Sequence, residues 1–239
     1  TERGERREMA LSDGSVLKVD AETRIRIRFR ERERRVILEQ GRALFRVAKA
    51  PNWPFLVYVD GTVVRAVGTE FGVERQERGV VVTVADGQVA VGAARSAAAD
   101  PTGSGPHVDQ AVRSAADDGA GLPGNRSAAS EIFLTANQQL TVHGSGTDLI
   151  PRAVDSSRAL AWAEGRLVFE NDTIAAVISQ FNRYNHVQLR VIDPVLAGRQ
   201  ISGVFDAADS ESFVAFLQGV AAVRVIRDEP QVVTIAPAQ

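Results

Sequence analysis

The chain has 239 residues, of which 44% are hydrophobic, and a formal net charge of −2 at pH 7. This balance disfavours general nucleic-acid binding, which needs many uncompensated phosphate contacts, and the absence of cysteine excludes thiol chemistry, thiolate metal sites and disulfides. No apolar run approaches the roughly 18–20 residues of a membrane span, and the length predicts two modest domains.

The first part of the chain, residues 1–92, has the pattern of almost uninterrupted β-structure. Short apolar strands are separated by turn signals about every ten residues, which is typical of an all-β sandwich, a barrel or a solenoid-like sheet. Asp13-Gly14 predicts one turn, because aspartate supplies a local hydrogen bond and glycine a positive φ. Asp86-Gly87 likewise predicts a hairpin that joins strands 80–84 and 88–91.

Residues 24–30 predict a strand with two different faces, one apolar and one of guanidinium groups. The apolar side chains are Ile25, Ile27 and Phe29, and the arginines are Arg24, Arg26, Arg28 and Arg30. The arginine row could contact an acidic partner, lipid head groups or nucleic acid. We favour a solvated strand face, because nearby glutamates offset its charge. Residues 31–35 are then expected to form a charged turn.

The middle of the chain changes composition. Residues 93–130 are rich in Ala, Ser, Gly, Pro and Asp and contain no Phe, Trp or Tyr, so we predict a disordered or weakly helical insertion. Residues 131–142 return to a strand pattern and are expected to pair back onto the first domain. The predicted organisation is an all-β domain at 1–150, a linker at 151–161 and a second domain at 162–239.

The second domain repeats one strand–helix–strand pattern twice. In the first copy, strands at 166–170 and 187–192 flank a helix whose apolar residues recur at i, i+3, i+4 and i+7. In the second copy, strands at 200–205 and 223–226 flank a helix of the same spacing, and 231–235 adds a further strand. Because each helix has a single apolar stripe, the pattern predicts a small β-α-β-β-α-β domain with both helices on one sheet.

Each of these helices also has start and stop signals. Asp172 is expected to cap the first helix at its N-terminus, and Asn185 to end it in a left-handed conformation. Asp209 and Gly219 are expected to do the same for the second helix.

A free edge strand of this small domain is the predicted partner-binding site. Unpaired N–H and C=O groups on such an edge can accept a strand from another protein. One candidate is the segment of Gln200, Ile201, Ser202, Gly203, Val204 and Phe205, where Gly203 would let another backbone approach. The other candidate is Val187–Ile192, and the sequence does not choose between the two.

The sequence predicts no catalytic residue, metal ligand or cofactor. His107, His143 and His186 have no further His or carboxylate at metal-ligand spacing beside them. The glycines of 68–72 belong to no phosphate-binding loop, because the Lys-Ser/Thr pair and the following helix are missing. Trp162 is expected to be an interface anchor or a core residue, and the same holds for Tyr184.

Several motifs, taken in order, resemble the periplasmic part of FecR-type regulators, the transmembrane anti-sigma-factor proteins of iron-uptake signalling. They are Asp13–Ser15, Leu38–Ala48, Pro54–Val57, Val64–Val73 and Val82–Val91. The C-terminal domain is similar to the short N-terminal domain shared by secretins and TonB-dependent receptors, through Trp162, Gly165, Leu167, Phe169, Arg183 and Tyr184. Asn137 stands where this family usually has glycine.

This resemblance implies a non-enzymatic signalling role in the periplasm. The chain would sense the N-terminal signalling domain of a TonB-dependent receptor and control an extracytoplasmic-function sigma factor, which a cytosolic domain upstream of this chain would hold. The membrane would be reached only through an upstream helix of a single-pass inner-membrane protein. The alternatives are a binding module for cell-wall glycan or for a secretin-like assembly, and, less favoured, a hydrolase that uses surface carboxylates.

Overall fold

The computed structural model describes residues 1–94, 131–143 and 150–238. The predicted insertion therefore lies outside the described residues except for its first two positions, and Ala93 ends a strand. The N-terminal strands are β1 Arg7–Ala10, β2 Val16–Val19, β3 Arg24–Arg30, β4 Glu33–Gln40, β5 Arg42–Arg46, β6 Phe55–Val59, β7 Thr62–Ala66, β8 Glu70–Gln76, β9 Gly79–Asp86, β10 Gln88–Ala93, β11 Ile132–Thr135, β12 Gln138–His143 and β13 Arg152–Ala153.

These strands form the two sheets of an all-β sandwich, one of the all-β arrangements that the sequence leaves open. One sheet has the order β1-β2-β5-β8-β9-β12-β13 and the other the order β11-β10-β7-β6-β4-β3. Strand neighbours are antiparallel except β4 and β6, which run parallel. Alternate residues of both sheets share one apolar core, because side chains on a strand point to opposite faces in turn. Strands β11 and β12 pair with β10 and β9, so residues 132–143 belong to this domain.

The chain changes sheet repeatedly, and most of these crossings have a residue with positive φ. Such residues are Glu22, Gly41, Gly68, Gly87 and Asn137, with φ of 54, 79, 111, 80 and 61°. The predicted hairpin at Asp86-Gly87 is therefore wrong, because β9 and β10 lie in different sheets and Gly87 marks a crossing. Asparagine tolerates a left-handed backbone better than most residues, which explains how Asn137 fills a position where glycine is usual.

Arg34 contradicts the predicted charged turn at residues 31–35. Strand β4 already begins at Glu33, and the Arg34 side chain is fully buried. Its Nη1 donates to Asp13 Oδ2 at 2.7 Å and to the Ala48 carbonyl at 3.0 Å, while its Nε donates to the Trp53 carbonyl at 2.9 Å. Arg34 therefore ties the Asp13 turn and the segment before β6 to one sheet.

The predicted linker at 151–161 is folded in the structure. It contains β13, which pairs with β12, and the short helix α1, Ser156–Ala159. A 3₁₀ helix at Ala161–Glu164 follows, and Gly165 ends it with φ 82°. Ser156 Oγ donates to Asn137 Oδ1 at 2.7 Å, so this segment is fixed to the first domain.

The C-terminal domain follows the predicted element order with one addition. It contains β14 Arg166–Thr173, α2 Ile174–Tyr184, β15 Gln188–Val191, α3 Pro194–Gly198, β16 Gln200–Asp206, α4 Ser210–Val220, β17 Val223–Glu229 and β18 Val232–Pro237. Its strands form two sheets rather than one, β14-β16 and β15-β18-β17. Helices α2 and α4 each contact one strand of each sheet, so the single apolar stripe of each helix packs against both sheets.

Three of the four predicted helix caps are wrong in the same domain. Thr173, rather than Asp172, accepts from the first turn of α2, and Asp172 accepts instead from the Glu170 amide at 2.8 Å. Asn185 is extended, with φ −117°, and its side chain donates to the carbonyls of Phe181 and Ala207. Asp209 caps α4 as predicted.

The predicted stop at Gly219 is a third difference, because α4 continues through this residue to Val220.

The core of the domain contains a connected cluster of aromatic rings. Its members are Phe169, Phe181, Phe205, Phe213 and Phe216. Among the described residues, no helix has both the length and the apolar character needed to cross a membrane.

Candidate functional site

A buried group of charged and polar side chains joins the two domains. Arg42 begins β5 in the first domain, Asp20 follows β2, and Tyr184 ends α2 in the second domain. Arg42 Nε donates to Asp20 Oδ2 at 2.5 Å, and Arg42 Nη2 donates to the Tyr184 hydroxyl at 2.6 Å. The same hydroxyl donates to Asp20 Oδ2 at 2.9 Å. Asp20, Arg42 and Tyr184 are 0%, 7% and 6% exposed, so this junction triad is shielded from water.

Burial and charge act against each other in this junction triad. Burial lowers the pKa of Arg42, but the attraction of Asp20, Tyr184 and Glu74 and the hydrogen bond to Asp20 together outweigh it, and the pKa lies above the ordinary value. Burial raises the pKa of Tyr184 to about 12, with Arg42 opposing this shift and Asp20 adding to it. At neutral pH the triad therefore holds a charged guanidinium and a protonated phenol. Within the described part of the chain, Asp20 Oδ1 has no hydrogen-bond partner, which leaves one buried oxygen uncompensated.

A second set of contacts surrounds the junction triad. Arg183 Nη1 donates to Glu74 Oε1 at 3.4 Å, and Arg183 Nη2 lies 3.6 Å from Asp20 Oδ2. The Arg42 guanidinium lies over the Trp162 ring, 4.7 Å from its centroid. Ala21, a residue of the first domain, packs into the apolar core of the second. The two domains are thus joined by ion pairs, a cation–π contact and shared core.

The structure places Trp162 and Tyr184, which the sequence leaves open between interface and core, at this junction. It also adds Asp20 and Arg42, which the sequence does not single out. Asp20 and Tyr184 are 164 positions apart, and no local pattern pairs residues so distant. The one available signal is Arg42 itself, an arginine directly after a glycine at the start of a buried strand.

The predicted partner segment is β16, one of the two strands of the β14-β16 sheet. Strand β16 pairs with β14 in the register Leu167–Phe205 and Phe169–Gly203. The amide of Ala207 donates to the Gly165 carbonyl at 2.8 Å, and hydrogen-bonded pairs alternate along an antiparallel ladder. Gly203 and Phe205 therefore bond to β14, whereas the N–H and C=O of Val204 point away from it.

The side chains of this segment alternate between the two faces of the sheet. Ile201, Gly203 and Phe205 face the core side, while Gln200, Ser202 and Val204 are exposed, Val204 to 62%. A Cβ at Gly203 would lie 2.8 Å from Cε2 of Phe205, so the glycine makes room for that ring. This differs from the predicted purpose, which was the approach of another backbone.

The alternative edge, Val187–Ile192, is closed at its centre. Its strand β15 pairs with β18 on one side, through bonds at Gln188 and Ile192. On the other side, Asn182 Oδ1 accepts from the Leu189 amide at 2.8 Å and Asn182 Nδ2 donates to the Leu189 carbonyl at 2.9 Å. Asn182 thus occupies the groups that an added strand would need, which favours β16 as the open edge.

A groove of about 690 Å³ lies along the other side of the two-stranded sheet. Its walls come from β14, α1, β13 and the start of α2, so both domains line it. Its lining includes Arg42, Ala159, Trp162, Val168, Ala176 and Gln180. We refer to it as the junction groove, because Arg42 of the junction triad lies at its wall.

The remaining predicted features are distributed elsewhere. The arginine row lies on β3, an edge strand of the six-stranded sheet, where Arg26 pairs with Glu39 at 2.9 Å. Ile27, on the expected core face, is 39% exposed because β3 has no neighbour on one side.

The two histidines that the structure describes lie in different domains, His143 in the first and His186 in the second. His143 Nδ1 lies 3.0 Å from the Arg78 carbonyl, His186 is exposed, and His107 lies outside the described residues. No cluster of three His, Asp or Glu side chains able to hold a metal occurs within 1–94, 131–143 and 150–238.

Comparison with known proteins finds a family model that matches the first domain and solved structures with a fold similar to that of the whole chain. The family model for FecR protein matches residues 1–90, which confirms the predicted resemblance to FecR-type regulators for the first domain. The whole chain superposes on two crystal structures of a candidate anti-sigma factor from Parabacteroides distasonis ATCC 8503. Among curated proteins, none matches the chain.

The two crystal structures give nearly the same result. The structure at 1.65 Å resolution is 21% identical, with a TM-score of 0.71, and the match covers 100% of this chain and 98% of the other. The structure at 2.50 Å is 22% identical, with a TM-score of 0.70, and the match covers 100% and 97%. At this level of identity the likeness establishes a shared fold over both domains.

Proposed function

We propose that this chain, a FecR-domain protein over residues 1–90, is the sensing region of an anti-sigma factor regulator. Its C-terminal domain would bind the N-terminal signalling domain of a TonB-dependent receptor. The observation that carries the proposal is the FecR match of the first domain, combined with a fold shared over the whole chain with a candidate anti-sigma factor. This role is regulatory and requires no catalytic residue.

The proposed binding surface is the open edge of β16, the segment Gln200–Phe205. The outward N–H and C=O of Val204 would bond to a strand of the receptor domain, and the exposed side chains of Gln200, Ser202 and Val204 would give specificity. Val204 is 62% exposed on this strand, which leaves room for a folded domain to present its own edge strand there. The closed edge at Leu189 offers no such site.

Binding at β16 would be transmitted to the first domain through the second. Strand β16 is bonded to β14, β14 is followed directly by α2, and α2 ends in Tyr184 of the junction triad. A change in the position of α2 would alter the contacts of Asp20 and Arg42. In this proposal the chain lies in the periplasm, and the signal continues through an upstream membrane helix to a cytosolic domain that holds the sigma factor.

Calorimetric titration of all 239 residues with the isolated signalling domain of the receptor encoded nearest to this protein's gene tests the proposal. We expect binding in the micromolar range or tighter. Val204→Pro should weaken it at least tenfold, because proline removes the outward N–H without breaking a bond to β14. The control is Val168→Pro, which removes an outward N–H from the opposite edge and should leave this binding within twofold.

Two results would contradict the proposal at different levels. Absence of binding by the folded chain argues against this receptor as the partner. Binding that Val204→Pro leaves unchanged argues against the β16 edge and leaves the receptor as partner. Circular dichroism of both proline variants establishes that they are folded before the affinities are compared.

A further inference from the structure

The junction groove contains an open strand edge of its own. In the ladder between β14 and β16, Leu167 and Phe169 bond to β16. Arg166 and Val168 therefore turn their N–H and C=O groups the opposite way, toward the groove that they line. No backbone partner meets these groups of Val168 among the described residues. A row of main-chain donors and acceptors in a groove is the requirement for binding an extended peptide.

The walls of the junction groove limit what can enter it. Across from β14 lie Ala153 and Val154 of the first domain, together with Ala159 and Trp162 of the connecting segment. Helix α2 contributes Ala176, whose short side chain leaves space beside the strand. The volume of about 690 Å³ is in the range of small-ligand sites, which suits a short peptide segment.

Charged side chains bridge one end of the groove and leave its lining without net charge. Arg158 of α1 pairs across the groove with Glu170 and lies 3.7 Å from Asp172, so this end is bridged by side chains. The lining contains three arginines and three carboxylates, which balance one another. The groove thus offers a short length of β14, from Arg166 to Val168, to a peptide without net charge.

We propose that the junction groove binds a short, extended, uncharged peptide segment that adds to β14 as a third strand. Main-chain bonds to Arg166 and Val168 would supply its affinity, and small or apolar side chains would lie against Ala176 and Trp162. This site is separate from the β16 edge and accepts a different kind of ligand, a single strand rather than a folded domain. Because both domains line the groove, its occupant contacts both at once.

The ligand is found by selecting random octapeptides displayed on phage against the immobilised 239-residue chain. The most enriched peptide is then synthesised and titrated calorimetrically. We expect Val168→Pro to weaken its binding at least tenfold, because the substitution removes the N–H that faces the groove. Val204→Pro, which removes the equivalent N–H from the opposite edge, should change the affinity less than twofold.

A second pair of variants leaves the backbone of β14 intact. Ala176→Leu fills the groove from α2 and should weaken the peptide at least tenfold, whereas Ala175→Leu adds the same group at an exposed neighbouring position that does not line the groove. Hydrogen exchange on the unaltered chain should show that the peptide slows exchange of the Val168 amide. The proposal is overturned if no peptide is enriched, if both leucine variants bind equally, or if exchange at Val168 does not change.

Discussion

The hydroxyl of Tyr184 donates to the carboxylate of Asp20 at 2.9 Å, across the boundary between the two domains. Because Arg42 donates to both groups, three buried polar side chains from two domains are hydrogen-bonded to one another. Separation of the domains would take the Tyr184 hydroxyl away from Arg42 and Asp20, which both belong to the first domain, and would break both of these hydrogen bonds. The relative position of the two domains is therefore defined by chemistry as well as by apolar contact.

Tyr184→Phe should destabilise the chain by about 1–3 kcal/mol, the usual cost of leaving buried polar groups without a partner. The chain has two tyrosines, which provides a matched control. The Tyr58 hydroxyl has no hydrogen bond to any described residue, so Tyr58→Phe should change the free energy of unfolding by less than about 0.5 kcal/mol. Urea unfolding measures both. Equal effects of the two substitutions would contradict the structural role given to Tyr184.

Alkaline pH should weaken the same contact. Burial raises the pKa of Tyr184 from 10.0 to about 12, so the unfolded chain loses this proton at a lower pH than the folded chain. The contribution of Tyr184 to stability is therefore fully present below about pH 10 and is lost as the pH rises toward about 12.

The measurement is urea unfolding of the unaltered chain and of Tyr184→Phe at a series of pH values from neutral to alkaline. The difference in stability between them should shrink above about pH 10, because phenylalanine carries no proton to lose. Tyr58 titrates in both proteins and cancels in the comparison. A difference that stays constant with pH would show that folding does not raise the pKa of Tyr184.

Many strands and helices of both domains follow from local patterns that the sequence contains. Alternation at residues 24–30 predicts β3, and the repeated helical spacing predicts α2 and α4, because each pattern reports which face of an element is buried. Local patterns say less about which strands are neighbours. The turn at Asp86-Gly87 has the composition of a hairpin, yet it carries the chain from one sheet to the other.

The candidate sites depend on contacts that no local pattern records. Arg34 is in a run of charged residues, and its burial follows only from the position of Asp13, 21 residues earlier. The closed edge of β15 depends on Asn182, a polar residue on a helix, whose amide group meets Leu189. The sequence can thus predict that the second domain has edge strands, but the structure is needed to show which edges are open.

Gly41 should be more sensitive to substitution than Gly61, although both have nearly the same backbone conformation, with φ of 79 and 77°. A Cβ at Gly41 would lie 2.2 Å from Thr23 Oγ1 and 2.8 Å from the Glu22 carbonyl oxygen, whereas nothing lies within 4 Å of a Cβ at Gly61. Gly61→Ala should cost only the backbone strain, about 1–2 kcal/mol.

Gly41→Ala should cost that strain and, in addition, the displacement of the β2–β3 crossing, so its total should exceed that of Gly61→Ala by about 1–3 kcal/mol. Thermal unfolding of the two variants under one set of conditions provides the comparison. Similar losses for both would indicate that the crossing moves easily, which the hydrogen bonds of Thr23 with Arg42 argue against.

Acid should release the buried pair of Asp13 and Arg34. Burial raises the pKa of Asp13, but hydrogen bonds from Ser15 and Arg34 outweigh it and hold the pKa below its ordinary value of 3.8. A carboxylate with a lowered pKa contributes stability that is present above the unfolded pKa, about 4, and is lost as the pH falls through the folded value.

Asp13→Asn should therefore change both the level and the acid dependence of stability. At neutral pH it leaves Arg34 buried without its counter-ion and should cost about 3–5 kcal/mol. Below about pH 4 its stability should fall less steeply than that of the unaltered chain, because one titrating group is absent. The control is Asp209→Asn, which also removes a carboxylate with a lowered pKa but lies exposed at the start of α4, where asparagine caps equally well. If the two variants were equally stable at neutral pH, the Asp13–Arg34 pair would not be holding the turn and the sheet together.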